Sequence, residues 1–450
     1  MNNPICVIGS GGREFTLAYK LHNEGYRVIA IPGNDGMERL GIAQTIPLPP
    51  NFGLRREHSK HLVDVTDKYK PSLIVIGPED WLAVGAVDNL QKEGHMVFGS
   101  RKKESIVEAS KCWSSDFMKR NGIPTPDFYN PENYQEAVGH VKKRKLKVAI
   151  KGDGLAKGKG VIIPHTLEEA TEALYAIMID GKLGGPRVNI QDFVDIEYEL
   201  SAMAFVDVRR KNESFHGDYR LLPFSMDHKS LLDDDKGPNT GGMGAVAPIP
   251  INNELRGKVI SDVIERTVEG FIKEGIEFNG CLYPALAVDR NGRFYVLEYN
   301  MRFGDPETQV VLYSMASRLQ PYLMATATGE LGMLPEIVTN DYSAIVNLVS
   351  PGYPHSPEIG LPINGLDDYG QLKRPIEGQM VIHSGTKAIM EGNKVRWATN
   401  GGRVLGIMSS DPELSSAVCK SYLRGRGDFS GFHGLIYRTD IGKKALKLFT

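Results

Sequence analysis

Apolar runs alternate with amphipathic stretches along the N-terminal part of the chain. The run PICVIGSGG ends in glycines, and REFTLAYKLHNEGY after it repeats apolar residues at helical spacing. The runs RVIAIPGN, PSLIVIGPED and MVFGS follow, separated by the helical patterns SKHLVDVTDKYK and LAVGAVDNLQKEGH. This alternation predicts parallel βαβ units and a doubly wound sheet over residues 1–102. Each strand ends in a glycine-containing loop, at the edge where such sheets bind ligands.

The middle of the chain mixes the two patterns less regularly. KKESIVEASKCWSSDFMKRNGI predicts one long helix, and KVAIKGDGLAKGKGVII predicts two strands joined by a glycine loop. LYPALAVD and RFYVLEYN predict a hairpin around RNGR, so residues 103–335 form an α+β region. Residues 336–450 carry mostly short strands. The polar stretch 227–245 has few apolar residues, and we expect it to need a ligand for a stable structure.

Composition and charge exclude several classes of protein. A net charge of −2 over 450 residues argues against binding along a nucleic-acid backbone. The four cysteines lie far apart, which disfavours a zinc site or a disulfide framework. No run reaches the about 18 apolar residues of a membrane span. The N-terminal letters MNNPICVIGSGG do not resemble a secretory leader, so we expect a cytoplasmic protein with reduced thiols.

The turn GSGGRE follows the first strand and contains part of a nucleotide-binding pattern. Gly9 and Gly11 match the first two positions of a GxGxxG fingerprint, but Glu14 occupies the third. A dinucleotide site is therefore disfavoured. The turn predicts either a tight strand-to-helix connection or a site for a single phosphate.

The loop in KGDGLAKGKGV combines glycines with lysines. Gly154, Gly158 and Gly160 allow the backbone to approach an anion, and Lys151 leaves an apolar strand as a fixed positive charge. The Walker A spacing is absent, and the loop joins two strands. We interpret it as a hairpin over a triphosphate. The alternative is an exposed flexible hairpin with solvated lysines.

The segment VLEYNMRFGDPETQ ends an apolar strand in polar residues. Glu298 and Asn300 are two positions apart and share one face of the strand. A carboxylate and an amide oxygen suit Mg²⁺ that is shared with phosphates. Arg302 offers a fork for a carboxylate or phosphate, and Asp305 follows in a loop. The alternative is an ordinary edge strand with a surface ion pair.

These motifs, in this order, resemble the ATP-grasp ligases, and within them the glycinamide ribonucleotide synthetases, also called phosphoribosylamine–glycine ligases. The likeness runs nearly end to end, and its most specific strings are GPNTGGMGA and RFGDPETQ. The strings GSGGRE, PGN, GPED, EASK, GGRVLGI and YRTDIG also match. The resemblance implies an N-terminal preATP-grasp domain, an ATP-grasp core with a small lid over about 125–195, and a C-terminal domain.

The resemblance also implies roles for individual residues. The nucleotide would contact Lys111, Lys151, the lid glycines Gly154, Gly158 and Gly160, the adenine-side residues Gln191, Phe193 and Val194, and Glu199 at the ribose. The metal would lie on Glu298 and Asn300. The acceptor site would contain Asp227, Lys229, Asn239, Thr240 and Arg302, with Gly11, Gly12 and Glu79 on the phosphoribosylamine side. Catalysis would depend on Lys151, Arg302 and Asp305.

The chain departs from the family pattern at a few positions. Phe15 stands where the family has His, and an imidazole there would donate to a phosphate or ribose oxygen. Met226 and Ser230 replace Gln and Arg. Gln191 stands where Glu is commoner, and one extra residue precedes Glu199. These differences concern substrate identity more than reaction type.

The implied reaction uses ATP to phosphorylate the glycine carboxylate. Phosphoribosylamine would then attack the acyl phosphate and release phosphate, with ATP and Mg²⁺ as cofactors and Mn²⁺ as an alternative ion. Such a transfer needs positioning and charge neutralisation more than a protein nucleophile. The expected partners are these small molecules, with no nucleic acid or membrane, and the expected state is a monomer or weak homodimer. Three alternatives stay open: a ligase for another amine and acid, a formyl- or carboxyl-activating relative, and a nucleotide-binding homologue without turnover.

Overall fold

The N-terminal part of the chain forms a parallel sheet with helices on both faces. The computed structural model describes residues 3–49, 58–154, 160–182, 185–422 and 429–448. The first strands are β1 (Ile5–Gly9), β2 (Val28–Pro32), β3 (Gln44–Thr45), β4 (Leu73–Ile76) and β5 (Val97–Phe98). The helices are α1 (Gly12–Asn23), α2 (Asp35–Arg39), α3 (His58–Tyr69), α4 (Glu79–Ala83) and α5 (Ala86–Lys92). The sheet order is β3-β2-β1-β4-β5, with every pairing parallel, as the alternation predicts.

Two predicted helices are each divided in two. LAVGAVDNLQKEGH covers the end of α4 and all of α5, with Gly85 between them in a left-handed conformation at φ +81°. The longer pattern contains α6 (Ile106–Ala109) and α7 (Lys111–Arg120). The break lies at Ser110, whose extended backbone ends α6 and whose side chain accepts the Trp113 N–H to begin α7.

A small antiparallel sheet with two helices lies within residues 125–195, the range predicted as the lid. Its elements are β6 (Phe128–Tyr129), α8 (Tyr134–Lys143), β7 (Val148–Gly152), β8 (Val161–Ile162), α9 (Leu167–Met178) and β9 (Val188–Asp192). The strand order is β6-β9-β7-β8, and apolar residues of α8 and α9 pack on it in a separate core. Thr166 caps α9 by accepting the Glu169 N–H.

A larger antiparallel sheet follows the lid region along the chain and carries the candidate metal residues. Its strands are β10 (Ile196–Ser201), β11 (Ala204–Lys211), β12 (Ser214–Leu221), β17 (Phe278–Asp289) and β18 (Phe294–Asn300). Between β12 and β17 lie β13 (Met226–Asp227), β14 (Ser230–Leu232), β15 (Lys236–Asn239), β16 (Gly244–Ala247), α10 (Asn253–Val259), a π-helical turn (Ile260–Glu265) and α11 (Arg266–Glu274). The helices α12 (Glu307–Ser314) and α13 (Leu319–Thr328) follow β18.

The C-terminal part is mostly β, and its main sheet includes strands from the middle of the chain. Its elements are β19 (Tyr342–Val349), β20 (Pro362–Ile363), β21 (Gln379–His383), β22 (Thr386–Glu391), β23 (Lys394–Thr399), β24 (Arg403–Asp411), α14 (Leu414–Ser421) and α15 (Lys443–Leu448). The order β13-β16-β19-β24-β21 joins the two regions across the predicted boundary at residue 336. No helix among the described residues is long and apolar enough to cross a membrane.

Candidate active site

One cavity of about 610 Å³ lies where the N-terminal sheet, the middle sheet and the C-terminal sheet meet. Nine of the residues singled out in the sequence line it: Gly11, Glu79, Asp227, Lys229, Thr240, Glu298, Asn300, Arg302 and Asp305. They come from positions far apart in the chain, and only the tertiary fold brings them together.

The β1–α1 turn forms the N-terminal wall of this cavity. Gly9 has a φ of +129°, and a Cβ there would lie 2.5 Å from Cγ of Glu14. The Gly11 N–H donates to the Glu14 carboxylate at 2.7 Å, and Arg13 donates to the other carboxylate oxygen at 2.6 Å. The anion that this turn holds is therefore the chain's own Glu14. Sequence reasoning missed Glu14 as a partner, although it had noted its place in the fingerprint.

Gly12 and Phe15 face away from the cavity. A Cβ on Gly12 would lie 2.6 Å from the Ser384 hydroxyl, so this glycine allows α1 to pack closely against the C-terminal sheet. Phe15 is fully buried, and its ring centroid lies 5.8 Å from that of His383. The expectation that position 15 faces a substrate is wrong, because α1 turns this side chain into the core.

Arg302 lies just beyond the end of β18 and joins two parts of the molecule. Its guanidinium Nε donates to Glu79 at 3.1 Å and lies 3.5 Å from the carboxylate of Glu108. Burial alone would lower the pKa of Arg302, but these carboxylates outweigh burial and raise it. Glu108 also accepts the Met301 N–H, which fixes the chain at this point. Arg302 thus presents a permanent positive charge to the cavity.

Glu298 and Asn300 lie on one face of β18, as strand alternation predicts. They pair with Ala285 and Tyr283 of β17, and both line the cavity. The register shifts by one residue at Leu297, next to Glu298. The two oxygen-bearing side chains therefore lie near each other at the end of the strand. A hard-oxygen pair of this kind fits Mg²⁺ that retains waters and phosphate ligands.

Two lysines lie beside Glu298. Lys111 Nζ lies 3.9 Å from the Glu298 carboxylate, and Lys151 Nζ donates to the Leu297 carbonyl at 3.0 Å. Burial lowers the pKa of Lys151 to about 8, with Glu298 opposing part of that effect. Burial raises the pKa of Glu298, but the neighbouring cations outweigh it and keep the carboxyl ionised. The group forms a charged cluster at the expected position of the nucleotide phosphates.

The lid glycines connect to this cluster through the backbone. Lys111 Nζ lies 3.5 Å from the Gly154 carbonyl, and the Gly160 carbonyl accepts the Gly152 N–H at 3.0 Å. Gly158 lies outside the described residues. Asp153, which sequence reasoning did not select, accepts from the Ser110 hydroxyl and the Cys112 N–H. The exit of β7 is thereby attached to the start of α7, which carries Lys111.

The predicted adenine residues separate in space. Phe193 and Val194 line a second cavity of about 430 Å³ at the junction of the lid and β10. The Phe193 N–H already donates to the Lys147 carbonyl at 3.1 Å, so it is not free for a base. Gln191 is buried, and its side-chain nitrogen lies 3.5 Å from the Ser115 hydroxyl. Val194 lines this second cavity together with Tyr295.

Glu199 pairs with a residue predicted for the acceptor site. The Lys229 ammonium lies 2.5 Å from Glu199 and 3.3 Å from Asp227. Burial lowers the pKa of Lys229, but Asp227 and Glu199 outweigh it and raise the pKa. A register shift at the start of β10, between Ile196 and Tyr198, accommodates one extra residue.

The rest of the acceptor wall is a hydrogen-bonded group around Glu307. Tyr283 donates its hydroxyl to Glu307 at 2.5 Å, and the Ser201 hydroxyl lies 2.8 Å from that of Tyr283. Burial, with Asp227 nearby, raises the pKa of Glu307. Thr240 lines the cavity, whereas Asn239 is exposed at the end of β15 and does not. Glu307 and Tyr283 were missed because neither shows its burial in the sequence.

Arg403 of the C-terminal sheet also reaches the cavity. Its guanidinium donates to the Asp305 carboxylate at 2.9 Å, to the Asp305 carbonyl at 2.7 Å and to the Gly241 carbonyl at 2.6 Å. Gln309 donates to the second Asp305 oxygen at 2.7 Å. Asp305 is therefore anchored on both sides. The only sequence signal for Arg403 was its place in the matching string GGRVLGI.

Comparison with known sequences covers the same three regions. Family models of phosphoribosylglycinamide synthetase match residues 3–108 (N domain), 109–308 (ATP-grasp domain) and 343–444 (C domain). The trifunctional purine biosynthetic protein adenosine-3 of Drosophila pseudoobscura pseudoobscura is 37% identical over 461 residues. That match covers 100% of this chain, which spans only 32% of the relative. The phosphoribosylamine–glycine ligase of Neisseria meningitidis serogroup B is 36% identical, with 98% of this chain and 99% of that protein covered.

Solved structures agree with this assignment. The phosphoribosylamine–glycine ligase of Thermotoga maritima has a TM-score of 0.78 and 32% identity, over 97% of this chain and 100% of that one. The biotin carboxylase domain of a Hydrogenobacter thermophilus 2-oxoglutarate carboxylase has a TM-score of 0.68 over 93% of this chain. Its 16% identity supports a shared fold alone. By its sequence and its fold, the chain belongs to the phosphoribosylglycinamide synthetase family.

Proposed function

We propose that the chain is an ATP-dependent ligase that joins glycine to 5-phosphoribosylamine through glycyl phosphate, in purine biosynthesis. ADP and phosphate are the other products. The observation that supports this proposal is that Glu298, Asn300, Lys229 and the β1–α1 turn line one cavity. A carboxylate and an amine can meet there next to a nucleotide.

The nucleotide end is formed by Lys111, Lys151, Glu298 and Asn300. Glu298 and Asn300 would hold Mg²⁺, since a carboxylate kept ionised and an adjacent amide oxygen are ligands this ion accepts. The ion would supply charge neutralisation on the phosphates. Lys111 and Lys151 orient the phosphates as fixed charges, and Val194 lies at the cavity proposed for the base.

Glycine fits the acceptor wall by charge. It carries one ammonium and one carboxylate, and the wall offers Asp227 and Glu307 alongside Lys229 and Arg302. We place the glycine carboxylate towards the charged cluster of Lys111, Lys151 and Glu298, because one carboxylate oxygen must attack the transferred phosphoryl group. Lys229 and Arg302 hold it in line, and no protein nucleophile takes part.

Phosphoribosylamine is assigned to the N-terminal wall. Gly11, Arg13 and Glu79 line the cavity on that side, and Arg13 is fixed by Glu14 and by the Phe303 carbonyl at 2.9 Å. An amine entering here reaches the acyl carbon from the side opposite the nucleotide. The burial of Phe15 removes one of the sequence differences that kept a different amine open.

The proposal is tested by ADP release from the purified chain with Mg²⁺. We expect release to require both glycine and phosphoribosylamine, and to be weak with alanine or serine. ADP release that depends on another amine, with none on phosphoribosylamine, would overturn the substrate assignment. Mn²⁺ is expected to support the reaction in place of Mg²⁺, and sedimentation is expected to show a monomer or weak homodimer. We also propose a reducing, cytoplasmic setting, because all four cysteines are unpaired.

A further inference from the structure

The acceptor hairpin, residues 229–240, projects from the wall of the main cavity. At its base, the Lys229 carbonyl accepts the Thr240 N–H at 2.8 Å and the Thr240 hydroxyl at 2.7 Å. The side chains of Lys229 and Thr240 both line the cavity. The direction of the hairpin therefore determines where the Lys229 ammonium lies.

The hairpin has few apolar contacts to hold this direction. Residues 234–239 are exposed, and the short strands β14 and β15 pair only with each other. Leu231 packs against the main core, but a two-stranded hairpin with so little packed surface is marginally stable in water. Sequence reasoning expected a ligand to order this stretch, but the chain itself supplies the missing contacts.

The contacts come from the C-terminal clamp, defined as residues 438–444. Arg438 is almost fully buried at 1% exposure, and it donates to the Ser230 carbonyl at 3.2 Å and to Asp235 at 3.0 Å. Asp440 holds the same guanidinium through two bonds of 2.7 and 2.8 Å. One buried arginine thus joins both ends of the hairpin turn to the C-terminal segment.

Further bonds join the clamp to all three acidic residues of the turn. Thr439 donates its N–H and its hydroxyl to Asp233 at 2.7 and 2.5 Å. Asp440 accepts the backbone N–H of Asp234 at 3.0 Å. Lys444 lies 2.6 Å from Asp235. The acidic run Asp233–Asp235 is therefore a docking element for the clamp.

The clamp also contacts the strand that precedes the hairpin. The Gly442 N–H donates to the ring of His228 at 3.3 Å, and His228 lies between Asp227 and Lys229. The carbonyl and N–H of His228 are bonded to Met243 and Gly244 of the returning strand. Both arms of the loop that carries the acceptor residues are thus held by one C-terminal segment.

We propose that the C-terminal clamp positions the acceptor hairpin for glycine, with Arg438 as its central positioning residue. The inference rests on the proposed function for the identity of the ligand, but its mechanical part concerns this chain alone. Loss of the clamp should leave the nucleotide cluster intact, because Lys111, Lys151 and Glu298 make no contact with it. The expected consequence is weaker glycine binding with ATP binding preserved.

The test uses the exposed side of the contact, because removing the almost fully buried Arg438 would leave a cavity, with the partly buried Asp440 unpaired, and would endanger folding. The double variant D233N/D235N removes the charges that Thr439, Arg438 and Lys444 engage. Asn tolerates the left-handed backbone at Asp235, whose φ is +55°. The matched control is D234N, since within the described part of the chain the Asp234 side chain pairs only with the exposed Lys236, at 3.8 Å.

We expect the KM for glycine to rise about tenfold in the double variant, with the KM for ATP and kcat within about twofold of wild type. D234N should match wild type in all three. An equal loss for both substrates, or an unchanged KM for glycine, would overturn the positioning role. A fall in thermal stability without a change in KM would show that the clamp is merely structural.

Hydrogen exchange separates this inference from the proposed function. The Thr240 amide bonds Lys229 at the hairpin base, and we expect it to exchange about tenfold faster in D233N/D235N than in D234N. If wild type shows no glycine-dependent ADP release, the proposed function fails and the exchange experiment still tests the clamp. Equal exchange in both variants would refute the clamp whatever the substrate.

Discussion

Lys151 gives the most specific quantitative prediction, because burial lowers the pKa of its ammonium group into the range of an ordinary pH profile. Its pKa is lowered from the ordinary 10.5 to about 8, and its side chain is only 5% exposed. At 1.36 kcal/mol per pH unit, this lowering corresponds to roughly 3 kcal/mol against the charged form. About nine-tenths of Lys151 is then protonated at pH 7 and about one-tenth at pH 9.

Nucleotide phosphates bind the protonated form, so kcat/KM for ATP should fall above pH 8. The slope should reach about tenfold per pH unit, because one proton is lost. Bound phosphate adds negative charge beside Glu298 and raises the pKa of Lys151 in the complex. The decline of kcat should therefore begin at a higher pH than the decline of kcat/KM.

The assay is ADP release over pH 6.5–9.5 at saturating glycine and phosphoribosylamine. The control is K151R, since a guanidinium stays charged throughout this range and should remove the alkaline decline even if kcat is lower. A decline near pH 8 that persists unchanged in K151R would refute the assignment of this proton to Lys151. A wild-type profile flat to pH 9.5 would refute the reasoning from burial.

Three further variants test the site and the corrected position 15. E298Q should abolish ligation and weaken ATP binding only modestly, as measured by ADP release and by calorimetry with an ATP analogue; turnover near wild type in saturating Mg²⁺ would remove Glu298 from the metal site. R403Q should lower kcat/KM by about 10- to 100-fold without unfolding the chain, because Asp305 loses its charged partner; unchanged kinetics would contradict the anchoring of Asp305. F15H should cost about 1–3 kcal/mol of unfolding free energy, since a polar ring would replace an apolar one beside His383; an improved KM for phosphoribosylamine would restore the substrate interpretation.

The sequence was sufficient where one periodicity decided the outcome. The alternation of strands and helices predicted the parallel sheet that contains β1, β2 and β4. The two-residue spacing correctly placed Glu298 and Asn300 on one face of β18. The one-residue bulge at Leu297 precedes both residues in the strand, so it does not change their relative orientation. Arg302 reached the same cavity although the strand had already ended, because Glu79 and Glu108 hold it there.

The sequence was insufficient where a contact joins distant segments. Nothing local to Arg403 indicates that it bonds Asp305, 98 positions away. The residues around Phe15 do not indicate whether its side chain faces the cavity or the core. The turn before it lines the cavity, whereas the helix that begins there also packs into the core. The hairpin that carries Lys229 looked unsupported because its partner, Arg438, lies more than 200 residues later. These errors share one cause: they concern which elements pack together, and periodicity carries no such information.

Ion pairs between cations and carboxylates explain why a chain with a net charge of −2 can form a site for a highly charged nucleotide. The cations that line the cavity each have a carboxylate partner: Arg302 pairs with Glu79, Lys229 with Glu199, and Arg403 with Asp305. These pairs are partly buried, so each charge is kept in place by its partner and by the fold. A phosphate or carboxylate that enters exchanges one anionic partner for another, which avoids bringing an unpaired cation out of water. The affinity of such a site for an anion depends on the local arrangement of charges. The net charge of the chain is only the sum of all its charges and does not show this arrangement.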